Sequence, residues 1–314
     1  MIPSSSIEPL YVVGATCSGK SALALALAES LGGEIVNADA FQLYRGLDIC
    51  TAMPSPEDFA RVPHHLYGVL NTEDLCDAKF YSELARPVIN DITSRGRLPI
   101  VVGGSGLYVK ALTHGLGPLP PGDEGLREKL ATMTPQERIT WLLLRDPAAA
   151  ETINLKNDRY VTRALEICIL TGKAQSALRK AWEQDSPSFS GICLSWDRAA
   201  LYERINGRVL AMFKAGLINE IGRLGSLNGT ATKAIGVTEV RSYLNDECTL
   251  AEATLAMQQA TRNFAKRQLT WFRRETAFKT LIANAEDSPE SLFHRSLELF
   301  PHLQSRLTTA VAGV

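Results

Sequence analysis

The sequence predicts an α/β protein: a P-loop NTPase-like parallel sheet core flanked by helices, with an all-helical insertion domain. Three observations predict it. Short apolar runs closing on glycine or polar residues alternate with helix-patterned stretches. The first run meets the first helix through a phosphate-loop motif, and from about residue 115 to 182 the pattern turns purely helical.

Residues 10–14, Leu-Tyr-Val-Val-Gly, read as a buried first strand. An Ala/Leu-rich helix over residues 20–31 stops at Gly32 and Gly33, and residues 34–39 read as a second strand ending in Asp39. Residues 77–95 have helical character up to Gly96. Residues 98–102 form a third strand closing on Gly103, Gly104, Ser105 and Gly106. Strands separated by helices need crossovers, which makes the sheet parallel and puts ligands at the strands' carboxyl ends. Residues 115–122, rich in Pro and Gly, form a hinge, and residues 185–191 make a second break. Residues 192–196 are read as a strand returning to the first sheet. The expected boundaries are 1–114 with 190–314 for the core and 115–189 for the insertion. Long helices are expected over 199–224 and 250–275; beyond them no pattern is readable.

At 314 residues with 45% apolar content, the chain can build a core without disulfides or metals. The net charge of −1 argues against an indiscriminate polyanion binder, although local patches survive that average. The six cysteines are scattered without a C-x-x-C pair, which argues against zinc and disulfides and for a reducing compartment. No apolar run approaches ~18 residues, so a cytoplasmic protein without membrane contact is expected.

Gly14-Ala-Thr16-Cys17-Ser18-Gly19-Lys20-Ser21 matches G-x-x-x-x-G-K-[ST] without a gap, between strand and helix as that loop requires. Its N–H groups converge on phosphate oxygens, the helix N-terminus and Lys20 add positive charge, and the Ser21 hydroxyl suits Mg²⁺. A di- or triphosphate therefore binds, but the loop does not say which molecule carries it. A nucleotide hydrolase or kinase wants a strand-end Asp near the metal. The 98–102 strand lacks one, while Asp39 could serve, so a small-molecule kinase stays open at this point.

Further blocks narrow the choice. Asn37-Ala-Asp39-Ala40-Phe41-Gln42-Leu-Tyr44-Arg45-Gly46, Pro63-His64-His65, the run from Val102 to Leu112, Arg163-Ala-Leu-Glu166, Ala234-Ile-Gly236 and Arg267-Gln-Leu-Thr-Trp271-Phe-Arg273 follow the phosphate loop in order. Together, over roughly residues 10–275, the chain resembles the tRNA dimethylallyltransferases. The resemblance implies that the loop grips the diphosphate of dimethylallyl diphosphate. The acceptor is then the adenosine beside the anticodon in tRNAs reading codons that start with U, flipped into a channel that the donor enters from the other end.

The residue types suit that chemistry. The exocyclic adenine amine is a poor nucleophile, and a carboxylate against it can orient the N–H and take its proton, the role expected of Asp39. Fixed donors aimed at the leaving diphosphate lower the barrier, and the resemblance adds Arg208 to Lys20 and Mg²⁺ there. It also puts Ser105 at the channel, with glycines around it for close backbone approach to substrate. Gln42 becomes the adenine reader, since an amide both donates and accepts. His64 lines the site. At 100° per residue, Arg262, Lys266 and Arg273 fall within about a 40° arc, opposite Met257, Ala260, Phe264 and Trp271, which suit a core. That stripe fits either phosphate contact or a solvated face. The resemblance assigns Asp39, Ala40, Phe41, Gln42, Ser105, Arg127, Arg159 and Arg163 to the tRNA as well. The partners expected are the anticodon stem-loop and the prenyl donor, with the enzyme a monomer.

Four departures stand out. Ala40 replaces a usual serine, Met53 a common lysine, and the stretch from Asp158 to Arg163 is one residue short, which shifts the register of Arg159. Val237 and Thr238 follow Gly236 without the usual aromatic and basic residues. Two rivals remain. An adenylate isopentenyltransferase would share the chemistry but not need the insertion or the 267–273 block. A P-loop kinase would consume ATP or GTP.

Overall fold

The runs at residues 10–14, 33–37 and 98–103 are buried end to end, so their backbone polar groups must pair within a sheet. The computed structural model describes residues 7–117, 119–183, 189–227 and 229–311. These runs become β1 (Leu10–Gly14), β2 (Gly33–Asn37) and β4 (Leu98–Gly103). With β3 (His64–His65), β5 (Ser190–Trp196) and β6 (Lys279–Ala283) they form one six-stranded sheet, ordered β3-β2-β4-β1-β5-β6. Every neighbouring pair is parallel.

The first compact unit comprises Met1–Leu112 and Ser188–Val314. Its helices begin with α1 (Lys20–Leu31), α2 (Asp48–Thr51), α3 (Pro56–Arg61), α4 (Ala78–Ser94) and α5 (Gly106–Thr113). The second unit, Thr113–Pro187, holds α6 (Glu124–Ala131), α7 (Pro135–Arg145), α8 (Ala149–Thr152), α9 (Asp158–Thr171) and α10 (Gln175–Glu183). The first unit resumes with α11 (Arg198–Lys214), α12 (Leu217–Gly222), α13 (Val237–Leu244), α14 (Leu250–Phe272), α15 (Pro289–Leu299) and α16 (Gln304–Val311). Pro118 in the expected hinge and residues 185–188 in the expected second break lie outside the described residues.

Side chains alternate across the sheet. Tyr11, Val13, Val36 and Val101 join a core with α4, α5 and α11 to α14, whereas Leu10, Val12, Ile35 and Ile100 join one with α1 and α15. The second unit packs its own core from Leu130, Leu142, Val161 and Leu165. No helix among the described residues is long and apolar enough to cross a membrane.

Several local expectations need correction. The second strand stops at Asn37, because the Asn37 side chain accepts the Asp39 N–H and donates to the Asp39 carbonyl, closing a turn. The helix expected over 199–224 breaks at Gly216, whose φ of 101° ends one helix and opens the next. The segment after residue 275 contains β6, paired with β5 from Ile192↔Lys279 to Trp196↔Ala283, followed by α15 and α16.

Register aligns the carboxyl ends: Val13 faces Gly103, Asn37 faces Val102, and Gly14 faces Leu194. The chain leaves β1 for β2 across β4, so the loops after these strands flank a crevice at the switch in strand order. Glu34 holds the edge of this arrangement. Its buried carboxylate pairs with Arg95 and, at 2.8 Å, with His65 on β3. The Arg95 hydrogen bond, opposed by burial and aided by His65, holds the Glu34 carboxyl down at about 2. A carboxylate depressed on folding stabilises above its unfolded value near 4.5 and loses that stabilisation as pH falls toward 2. Glu34→Gln should therefore lower the melting temperature at pH 7, by on the order of 2 kcal/mol of stability. The gap to wild type should close between about pH 4.5 and 2; thermal melts across that range, with a pH-independent gap, would sink the assignment.

Candidate active site

The turn between β1 and α1 is shaped by what its glycines avoid. Gly14 has φ 149°, and a Cβ there would lie 2.5 Å from the Leu194 carbonyl oxygen. Gly19 caps α1 at φ 93°, and Cys17 adopts the left-handed conformation without being glycine. The result turns successive N–H groups inward. Among the described residues, the N–H groups of Cys17, Gly19, Lys20, Ser21 and Ala22 meet no protein acceptor. The Ser18 hydroxyl is buried and unpartnered as well. Unpaired donors at a helix N-terminus form an anion site.

The loop is tethered from outside. Trp196 donates its indole N–H to the Ser18 carbonyl at 2.6 Å, and Arg204, stacked on Trp196, donates to the Cys17 carbonyl at 2.9 Å. Gln268 accepts the Thr16 N–H at 2.8 Å, and Arg208 donates to the Thr16 hydroxyl. Desolvation pushes the Lys20 ammonium below its ordinary value, with nearby Asp39 pulling it up and Arg208 pushing it further down. Neither Trp196 nor Gln268 is among the site residues expected from the sequence, although Gln268 lies within the 267–273 block; their hydrogen bonds link them to the loop.

Asp39 sits in the turn that Asn37 closes, and its Oδ1 accepts the Phe41 N–H at 3.0 Å. Ser105 accepts the Ala40 N–H at 2.9 Å, so its hydroxyl proton stays available to a substrate. The glycines around Ser105 make room for protein, contrary to the expectation of substrate. A Cβ on Gly103 would strike the Ala38 backbone, one on Gly104 the Gln268 amide, and one on Gly106 the Trp271 ring. Gln42 differs too: its Nε2 donates to the Thr51 and Ala52 carbonyls, which leaves only its Oε1 to read a base.

A narrow cavity joins Asp39 to Thr16 and Arg208, with neither Ser105 nor Gln42 on its wall. Thr16, Asp39, Phe41, Arg208, Thr261 and Phe264 line it. Phe264, expected in the core, faces this cavity with its ring 6.2 Å from Phe41. The buried stripe of α14 runs instead through Met257, Thr261, Ala265, Gln268 and Phe272. A wider cavity of about 340 Å³ opens beside Ser21, walled by Leu25, Met53, Pro54, His64 and Tyr67. Burial, with Asp39's charge second, raises the Tyr67 hydroxyl pKa, and burial lowers the His64 ring.

The expected RNA contacts divide. Lys266 on α14, Arg273 capping its C-terminus and Arg159 on α9 are exposed. Arg262 is engaged with Asn206 and Gln259. Arg127 and Arg163 both bind Glu166, a fully buried carboxylate that must be neutralised where it lies, so neither is a free cation.

The IPP transferase family matches residues 42–275. A tRNA dimethylallyltransferase of Akkermansia muciniphila is 40% identical over 293 residues, 93% of this chain and 99% of the relative. One from Geobacter sulfurreducens is 44% identical over 288 residues, covering 88% and 92%. The crystal structure of a tRNA isopentenylpyrophosphate transferase from Bacillus halodurans superimposes with a TM-score of 0.70 at 33% identity, covering 96% of this chain and 99% of that one.

The unpaired Ser18 hydroxyl yields a direct test with inorganic pyrophosphate. Ser18→Ala should weaken calorimetric binding about tenfold, the worth of one hydrogen bond to a charged group, without lowering the melting temperature. Unchanged affinity would mean that the hydroxyl does not face the anion.

Proposed function

The chain belongs to the IPP transferase family, and from that membership we propose the following reaction. It transfers a dimethylallyl group from dimethylallyl diphosphate to the N6 amine of the adenosine adjacent to the anticodon, in tRNAs reading codons that start with U. Diphosphate is released. The observation that carries this reading is the single cavity in which Asp39 meets Thr16 and Arg208, the two residues that connect it to the phosphate loop.

The chemistry follows from the groups present. The loop N–H groups, the Ser18 hydroxyl, Lys20 and Arg208 hold the donor's diphosphate. Phe41 and Phe264 offer aromatic surface to an extruded base, and the free Oε1 of Gln42 offers an acceptor. The N6–C1 bond forms as the C1–O bond breaks; the diphosphate leaves with the bonding electrons, and Asp39 takes the N6 proton. The wider cavity beside Ser21 supports donor access from that side, since Met53 makes its wall apolar where a lysine would charge it.

Among the described residues no cluster of His, Cys, Asp or Glu forms a metal cage. Mg²⁺ favours few protein ligands and completes its shell with water and phosphate oxygens, so the Ser21 hydroxyl beside a diphosphate is a fitting partner. When bound, it neutralises charge on the leaving group. Lys266, Arg273 and Arg159 supply exposed positive charge for the RNA backbone.

Incubation with labelled dimethylallyl diphosphate, Mg²⁺ and either unmodified tRNA or AMP separates the readings. Label in tRNA alone supports this one, label in AMP alone supports an adenylate isopentenyltransferase, and ATP turnover without transfer supports a kinase. Asp39→Ala should abolish transfer, by about 100-fold or more for a lost general base, while tRNA affinity changes little. Parallel loss of rate and tRNA binding would make Asp39 structural.

A further inference from the structure

Gln268 is a polar residue in the buried stripe of α14, only 5% exposed, with both amide atoms satisfied by backbone from distant parts of the chain. Its Oε1 accepts the Thr16 N–H at 2.8 Å and its Nε2 donates to the Gly104 carbonyl at 3.0 Å. One partner is an N–H and the other a C=O, so the amide has a single satisfied orientation. The fit is close on both sides. A Cβ on Gly104 would lie 2.2 Å from the Gln268 Nε2, and one turn on, a Cβ on Gly106 would lie 2.3 Å from the Trp271 ring.

We propose that Gln268 is a positioning residue that sets the register of the phosphate loop by holding Thr16 against Gly104. This rests on the reading of the loop as the donor's diphosphate site. The Thr16 N–H, drawn outward by Gln268, cannot turn toward the anion, so the inward series of free donors begins at Cys17. Thr16 also carries the Arg208 contact and lines the cavity with Asp39. Gln268 therefore acts beneath the residue where the anion site and the acceptor cavity meet. The same helix supplies Thr261 and Phe264 to the cavity wall, so loop and wall are referenced to one rigid rod.

Two substitutions attack the contact from opposite sides. Gln268→Met keeps length and bulk but neither hydrogen bond, and Gly104→Ala forces the amide away. Each is measured for inorganic pyrophosphate binding by calorimetry, for the KM of dimethylallyl diphosphate and of tRNA, and for its melting curve. Both variants should weaken pyrophosphate binding and raise the donor KM by about tenfold, with the tRNA KM within about twofold of wild type. Pyrophosphate affinity within about twofold of wild type in a folded variant would overturn the proposal. So would equal rises in donor and tRNA KM, or failure of both variants to fold, which would make the contact a requirement of the fold. Wild-type protein that binds pyrophosphate but never consumes dimethylallyl diphosphate would defeat the functional reading alone, leaving the calorimetric comparison to decide the role of Gln268.

Discussion

An anion-binding loop must keep its inner N–H groups unpaired, so it cannot be made rigid by hydrogen bonds across its own mouth. Here the rigidity comes from outside. Trp196 and Arg204 grip the carbonyls of Ser18 and Cys17, Gln268 takes the Thr16 N–H, and Arg208 takes the Thr16 hydroxyl. Each tether uses a group other than the N–H donors of Cys17, Gly19, Lys20, Ser21 and Ala22, which stay free. The surrounding architecture follows from that constraint. β5 ends in Trp196, α11 carries Arg204 and Arg208 on one face, and α14 lies close enough to lower an amide between two loops.

The glycines after β4 belong to the same arrangement. Their missing side chains let Ala38, Gln268 and Trp271 approach the β4–α5 turn, which brings Ser105 beside the Asp39 turn. The departure at Ala40 becomes intelligible in this light. Its backbone N–H, not a side-chain hydroxyl, is what contacts Ser105, so any residue with an N–H can keep that contact.

How far the sequence could be read depends on the range of the interactions involved. The phosphate loop, the first strands and the first helix are local: short apolar runs and a glycine pattern state them outright. β6 was hidden because it is an exposed edge strand, Lys-Thr-Leu-Ile-Ala, with only Leu281 and Ala283 buried. Gln268 and Trp196 were hidden as site residues because their partners lie 252 and 178 positions away. The arginine stripe on α14 followed from periodicity, but which of its members pair within the protein did not. Asn206, the partner of Arg262, sits on another helix. Likewise Arg127 and Arg163 read as free cations until Glu166 is seen buried between them.

Charge balance ties the two halves of the site together. In the protein alone, Lys20 is crowded by desolvation and by Arg208, and Asp39 is the carboxylate that relieves it. A diphosphate on the loop gives the same cations a closer and more highly charged partner. Asp39 lines the same cavity as Thr16 and Arg208, so the proposed base stands beside the proposed site of the leaving group. That adjacency gives the shared cavity of Asp39, Thr16 and Arg208 its chemical sense in the proposed reaction.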